Sequence, residues 1–302
     1  MGDTAQTGID RRRFLRLTAV GAGSVALLAA GAGGARAAPP SATEMRFDQL
    51  DGVPLGYWRW RDGTAGRRVE RQAFYSTADF HRRLVVWVRD LKDISARYGG
   101  LVGMNRIITA GTFVDKPLEH GKGMAFDLDQ VRWSNATSTP YAREHASPDL
   151  RTRRRYLAVD AVCRRHFHWV LDGGFNAEHA DHLHLDTAGG ALVCDRGARS
   201  DTAFVQQVVN AFQGGRLPVD GAWGPVTQRA FEESRRRLGV AGDPYATPAV
   251  WQQWLLRVAA CGFRDVPFAQ APVEQPDPMA ALIDPILTPV QDAVLEALGL
   301  LG

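Results

Sequence analysis

Two short runs set the terms for this 302-residue chain. The first is His120-Gly121-Lys122-Gly123-Met124-Ala125-Phe126-Asp127, and the second is His179-Ala180-Asp181-His182-Leu183-His184-Leu185-Asp186. Half of the eight histidines fall inside them. A histidine and an aspartate with six residues between them, answered much later by His-x-His, suit a metal that takes nitrogen and oxygen ligands. Zinc is the usual occupant where three protein ligands leave a position open for water. His120 and Asp127 alone read as an ordinary exposed pair; with the second run present, the two constrain the fold to bring both to one place.

The first segment reads as an address. Asp10-Arg11-Arg12-Arg13-Phe14-Leu15-Arg16 carries a twin arginine, an uncharged Ala/Gly/Leu/Val-rich run covers 17–33, and Ala35-Arg36-Ala37 offers a small-x-small cleavage site. An uncleaved anchor competes, since ~17 apolar residues is the lower limit for spanning. Weak hydrophobicity and the cleavage signal favour a twin-arginine export signal over 1–37. The mature chain then starts near Ala38 and works in the cell wall, the periplasm or outside the cell. Five arginines against Asp3 and Asp10 give this segment +3, and the whole chain is also +3, so the exported part is formally 3 − 3 = 0. With no basic-aromatic pattern either, nucleic acid is not an expected partner. The basic run at 151–155 reads as a solvated helix face. Of the three cysteines, Cys163 and Cys194 form the expected bridge, leaving Cys261 unpaired.

The first expected domain covers 41–199. Residues 47–60 read as an irregular lead-in with aromatic anchors. Ser76 or Thr77 can cap a helix to about Tyr98, with Phe80, Leu84, Val85, Val88, Leu91 and Ile94 at helical spacing and Gly99-Gly100 ending it. Strands are expected at 106–113, 123–128, 167–171 and 183–186, with a helix from Ser147-Pro148 to about His166. Helices alternating with short strands imply an α+β domain with an antiparallel sheet. Strand alternation puts His182 and His184 on one face and Asp181 and Leu183 on the other. Gly121 and Gly123 let the chain fold His120 back toward Asp127. His166 and His168 lie in apolar context and read as structural.

His120-(six)-Asp127 followed by His179-x-Asp181-His182-x-His184 resembles the zinc D,D-peptidase superfamily, which includes the hedgehog and lysostaphin folds. Residues 156–167, Trp169-Val170-Leu171 and Asp181-His182-Leu183-His184-Leu185-Asp186 are similar to the C-x-x-F and D-H-F-H-x-D signatures of the extensin-like C-terminal family. The resemblance covers about 106–187. It implies a zinc D,D-peptidase-like antiparallel sheet with flanking helices. It further implies that His120, Asp127 and His184 hold zinc, and that Asp181 or His182 serves as base. Asp115 and Lys116 stand where the family tends to carry a cysteine and then an arginine. That departure removes an expected partner for Cys163 and a cation that would help an oxyanion.

Residues 200–264 form the second expected domain, a small all-α unit of three helices. Phe204, Val205, Val208, Val209 and Phe212 make one stripe, Pro225 starts the next helix, and a third runs from Thr247 to about Cys261. The intervening Asp220-Gly221-Ala222-Trp223-Gly224-Pro225-Val226-Thr227 is similar to the D-G-x-x-G-x-x-T hallmark of the peptidoglycan-binding three-helix repeat. A helical appendage that only packs on the first domain is the plainer reading. Residues 265–302 are expected as a Pro-rich linker and a last amphipathic helix from Thr288-Pro289, too short at ~12 residues to span a bilayer.

The resulting expectation is an exported zinc peptidase acting on peptidoglycan stem peptides, as carboxypeptidase or endopeptidase. Strand alternation favours His182 as the base; Asp181 qualifies if the strand starts late, and His179 could then donate to the oxyanion. The competing expectation is a wall-binding protein whose zinc-stabilised, peptidase-like fold has no catalysis.

Overall fold

The computed structural model describes residues 44–59, 65–114 and 118–272. The expected export signal, Asp115 and Lys116, and the last helix lie outside these residues. Thr77 caps the longest helix: its hydroxyl accepts from Phe80 N, and α1 (Ala78–Gly99) ends at Gly100, whose φ of 60° is the left-handed cap that favours glycine. Phe80, Leu84, Trp87, Val88, Leu91 and Ile94 form its buried stripe. The second helix, α2 (Leu150–Arg164), is capped by Asp149, which accepts from Arg151 N and Thr152 N. It therefore starts two residues later than Ser147-Pro148 predicts.

These helices cover one face of a sheet built from β2 (Gln49–Leu50), β3 (Val53–Arg59), β4 (Ala65–Arg71), β6 (Arg106–Gly111), β7 (Ala125–Arg132), β8 (Thr137–Ser138), β9 (Trp169–Leu171) and β10 (Leu183–Asp186). Its main order is β2-β3-β6-β7-β10-β9, with β4 on β3 and β8 on β7; β1 (Glu44–Phe47) pairs separately with β5 (Phe74–Thr77). Every pairing is antiparallel except β3 with β6, which is parallel. The described part of the lead-in expected to be irregular is thus largely strand, at 49–50 and 53–59. Asp51 (φ 45°) and Gly52 (φ 77°) turn β2 into β3 with two successive positive-φ residues, the backbone that an Asp-Gly hairpin turn takes.

Phe126, Leu128, Leu183 and Leu185 point into the core against Trp87 and Phe167, so Asp127 and His184 point away from it. The register sets His184 directly opposite Asp127. Ile108 faces Gln130 while Thr109 faces Leu128, which leaves Asp129 as an extra residue in β7. Such a bulge re-aims a side chain, and Asp129 is fully buried on the side away from the main core.

The chain continues into α3 (Arg199–Gln213), α4 (Pro225–Leu238) and α5 (Pro248–Arg264), as the apolar stripes predict. Their apolar side chains do not form a separate core. Phe204, Phe231 and Trp254 belong to the same buried cluster as Trp87 and Phe126, and α5 lies against both α1 and α2. A Cβ on Gly262 would collide with the Arg154 carbonyl, which shows how closely α5 approaches α2. Position 200 marks a change of secondary structure, not of core. The Asp220–Thr227 motif has a folding role here. Gln206 donates to Asp220 Oδ1 (2.8 Å) and Thr227 Oγ1 (3.3 Å), and accepts from Asp220 N and Gly221 N. The expected linker also begins as packed chain, since Phe268 is buried and stacks on Phe212 at 5.0 Å.

Cys163, Cys194 and Cys261 are all buried and free, so the Cys163–Cys194 bridge does not form. Cys163 is on the buried face of α2, whereas Cys194 sits in the segment before α3 with its N–H donated to Pro244 O. Among the described residues, no helix is long and apolar enough to cross a membrane.

Candidate metal centre

His120 arrives on a 3-10 turn (Glu119–Lys122) between β6 and β7. Gly123 closes it at φ 67°, donating to Glu119 O and His120 O. Its backbone presses on β5: a Cβ there would lie 3.2 Å from Ser76 Cα, and Thr77 N donates to Gly123 O. The position needs glycine for both reasons. The turn folds His120 inward until its Nδ1–H donates to Thr112 O at 2.6 Å.

His120 Nε2, Asp127 Oδ1 and His184 Nδ1 then meet in a nearly equilateral triangle, with separations of 3.0, 3.0 and 3.2 Å. His184 uses Nε2–H to donate to Asp186 Oδ2 at 3.0 Å. With each ring's N–H spent outside the triangle, both neutral rings turn a lone pair into it beside a carboxylate. Three acceptors facing one another need a cation between them. Ligand atoms ~2.0–2.1 Å from a tetrahedral zinc sit roughly 3.3 Å apart, so spacing and donor types both fit that metal. Thr112 O and Asp186 are the outer partners that fix ring tautomer and orientation in such sites.

The local field agrees. Burial would raise the Asp127 pKa, but a proton held between its carboxylate and the His120 and His184 rings supplies hydrogen bonding that keeps it well below the usual carboxylate range. Burial would lower that of His184, but Asp127 and Asp186 push it up to about 9. A proton can thus fill the triangle, and the same negative potential attracts a metal ion.

Beside the triangle, β10 begins only at Leu183, which leaves Asp181 and His182 in the preceding loop and His179 at the end of a 3-10 turn (Ala177–His179). Late onset is the condition under which Asp181 stays eligible as a base, so contacts must decide. His182 Nδ1–H donates to Asp181 Oδ1 at 2.8 Å, which leaves the Nε2 lone pair 3.8 Å from Asp127 Oδ1. Asp181 is turned outward and is held below the usual range by that hydrogen bond and by Arg59. His179 donates Nδ1–H to Asn176 Oδ1 (2.7 Å), and burial beside His182 and His184 lowers its pKa to about 4. As a neutral ring it offers a lone pair at Nε2, so it has no N–H for the expected oxyanion role.

Arg59, at the end of β3, was not singled out by any motif. It forks onto Asp129 (2.5 and 2.8 Å), donates to Asp181 O (3.1 Å), and lies 3.4 Å from Asp181 Oδ2. Burial raises Asp129 to about 6 despite this pairing, still below neutrality, so the pair stays charged at pH 7. Arg59 ties the loop carrying Asp181 and His182 to the β7 bulge.

The family described as Extensin-like protein C-terminus matches residues 108–195. That span holds every member of the triangle, the Asp181–His182 pair and Asp129, but not Arg59. No curated protein and no solved structure matches the chain.

Proposed function

We propose that the chain is an exported zinc peptidase that cuts an amide bond in peptidoglycan stem peptides. The observation that carries this reading is the triangle of His120 Nε2, Asp127 Oδ1 and His184 Nδ1 beside an Asp–His pair. His120, Asp127 and His184 would hold the ion, which supplies a more acidic water and a polarised amide carbonyl when bound. His182 accepts a proton at Nε2 and returns it to the leaving amine. Asp181 keeps His182 in the tautomer whose lone pair faces the site, and Arg59 with Asp129 keeps Asp181 in place. Arg59 is also a cation whose field reaches Asp127 and Asp181, and it offsets their charge.

The likeness of the two motif runs to zinc D,D-peptidases supports the reaction class, and the likeness of Asp220–Thr227 to peptidoglycan-binding repeats supports the substrate. The test is purified peptidoglycan incubated with zinc-loaded and metal-free protein. New amine ends that appear only with zinc support the enzyme. Retention on the wall without new ends supports the binding-protein alternative.

A further inference from the structure

A second cluster on the metal face of the sheet uses none of the residues above as ligands. Arg106 opens β6 and Arg132 closes β7, and the register makes them direct cross-strand partners. Like charges directly opposite on antiparallel strands destabilise the pair. Among the described residues, no carboxylate answers either guanidinium. Arg132 donates to the Gln130 side chain and lies over the Trp58 ring at 5.8 Å. Burial and the charge of Arg106 lower its pKa, as expected of two cations held together. An uncompensated break of a local rule of this kind marks a place where function has been favoured over stability.

The cluster is joined to the metal centre. Trp58 donates Nε1–H to Asp129 Oδ2 (3.2 Å) and meets Tyr141 edge-on at 5.6 Å, and Arg59 lies 5.0 Å over the Tyr141 ring. Arg132, Trp58, Tyr141 and Arg59 thus form one series of cations and rings that ends at Asp181. Along β7, Asp127 and Arg132 are five positions apart, roughly 15 Å at strand rise. A peptide lying on this face with its amide at the triangle would place a group several residues away beside Arg106 and Arg132.

We propose that Arg106 and Arg132 form a subsite for a carboxylate of the substrate peptide, remote from the bond that is cut. The identity of that peptide rests on the peptidase reading; the anion site itself does not. Binding is therefore measured calorimetrically on the metal-free full chain, without turnover. The probes are a stem peptide with its glutamate carboxylate free, the same peptide amidated there, and tetraglutamate. Losing a charge-assisted contact weakens binding by about tenfold or more. Amidation should cost the wild type that factor. The Arg106→Gln/Arg132→Gln variant should bind both stem peptides equally weakly and lose tetraglutamate by a similar factor. Removal of a like-charge pair should leave its melting temperature unchanged or raised, which separates the effect from misfolding. Arginine-dependent binding of tetraglutamate without stem-peptide binding would keep the anion site and overturn the peptidoglycan reading. Tetraglutamate that does not bind, or binds wild type and variant alike, would overturn the subsite.

Discussion

Two groups of histidine and aspartate lie on opposite faces of one sheet, and their difference is instructive. On the core face, Asp90 of α1 meets Arg165 Nε at 2.9 Å and His166 Nε2 at 2.8 Å. Nearby, Arg164 joins Asp160 and Asp201, each at 2.8 Å. In both sets a guanidinium is fixed among the carboxylates, so the charges are answered by the chain. On the outer face, the triangle of His120, Asp127 and His184 has no such cation inside it. The residue types are the same; the distinction is whether acceptors converge with or without a donor. Convergence without one is what an added cation completes.

Substitutions should separate the two groups, the largest effect coming from chemistry. His182→Ala should lower amide hydrolysis by roughly 10²–10⁴-fold with zinc retained, and Asp181→Asn should lower it less. Steady-state kinetics with metal content checks both; unchanged turnover in the two variants would remove the proposed base. Asp90→Ala on the core face should cost ~3–5 kcal/mol of stability in urea, because it leaves Arg165 buried without its carboxylate. Asp186→Ala should weaken zinc binding by roughly 10–100-fold, since His184 loses the partner that orients it. A competitive chelator titration reads this directly.

The smallest effect is one of pH. Burial alone would raise the Asp90 pKa, but Arg165 and His166 hold it at about 2. A folded value below the unfolded one gives stability that is full above about pH 4 and lost as pH falls toward 2, about 2 kcal/mol in all. Urea titrations of metal-free wild type and Asp90→Asn should converge across that window. Parallel curves would place the coupling elsewhere.

The triangle was legible because its members sit in two short His/Asp-rich runs whose family resemblance singles them out; Asp127 and His184 lie on paired strands and His120 on the turn between β6 and β7. The sequence could not show Arg59 or Asp129. Arg59 lies far from them in sequence and reaches Asp129 only because a one-residue bulge turns that carboxylate toward it. The helices were legible from stripes and caps, but a stripe does not name its partner. So α3 to α5 were expected to enclose their own core, whereas α5 packs on α1 and α2. Deleting 200–302 would therefore strip the first half of its core, and wall retention is better tested by surface substitution. The strands at 44–59 were missed because aromatic spacing hid them, although Asp51-Gly52 is a hairpin signal in its own right.

The central claim is that the outer triangle, not the core pairs, binds the metal. Elemental analysis of the dialysed full chain tests it most directly. One zinc per chain is expected in wild type and in His166→Gln, with almost none in Asp127→Ala and His184→Ala. Full occupancy in both triangle variants would contradict the account.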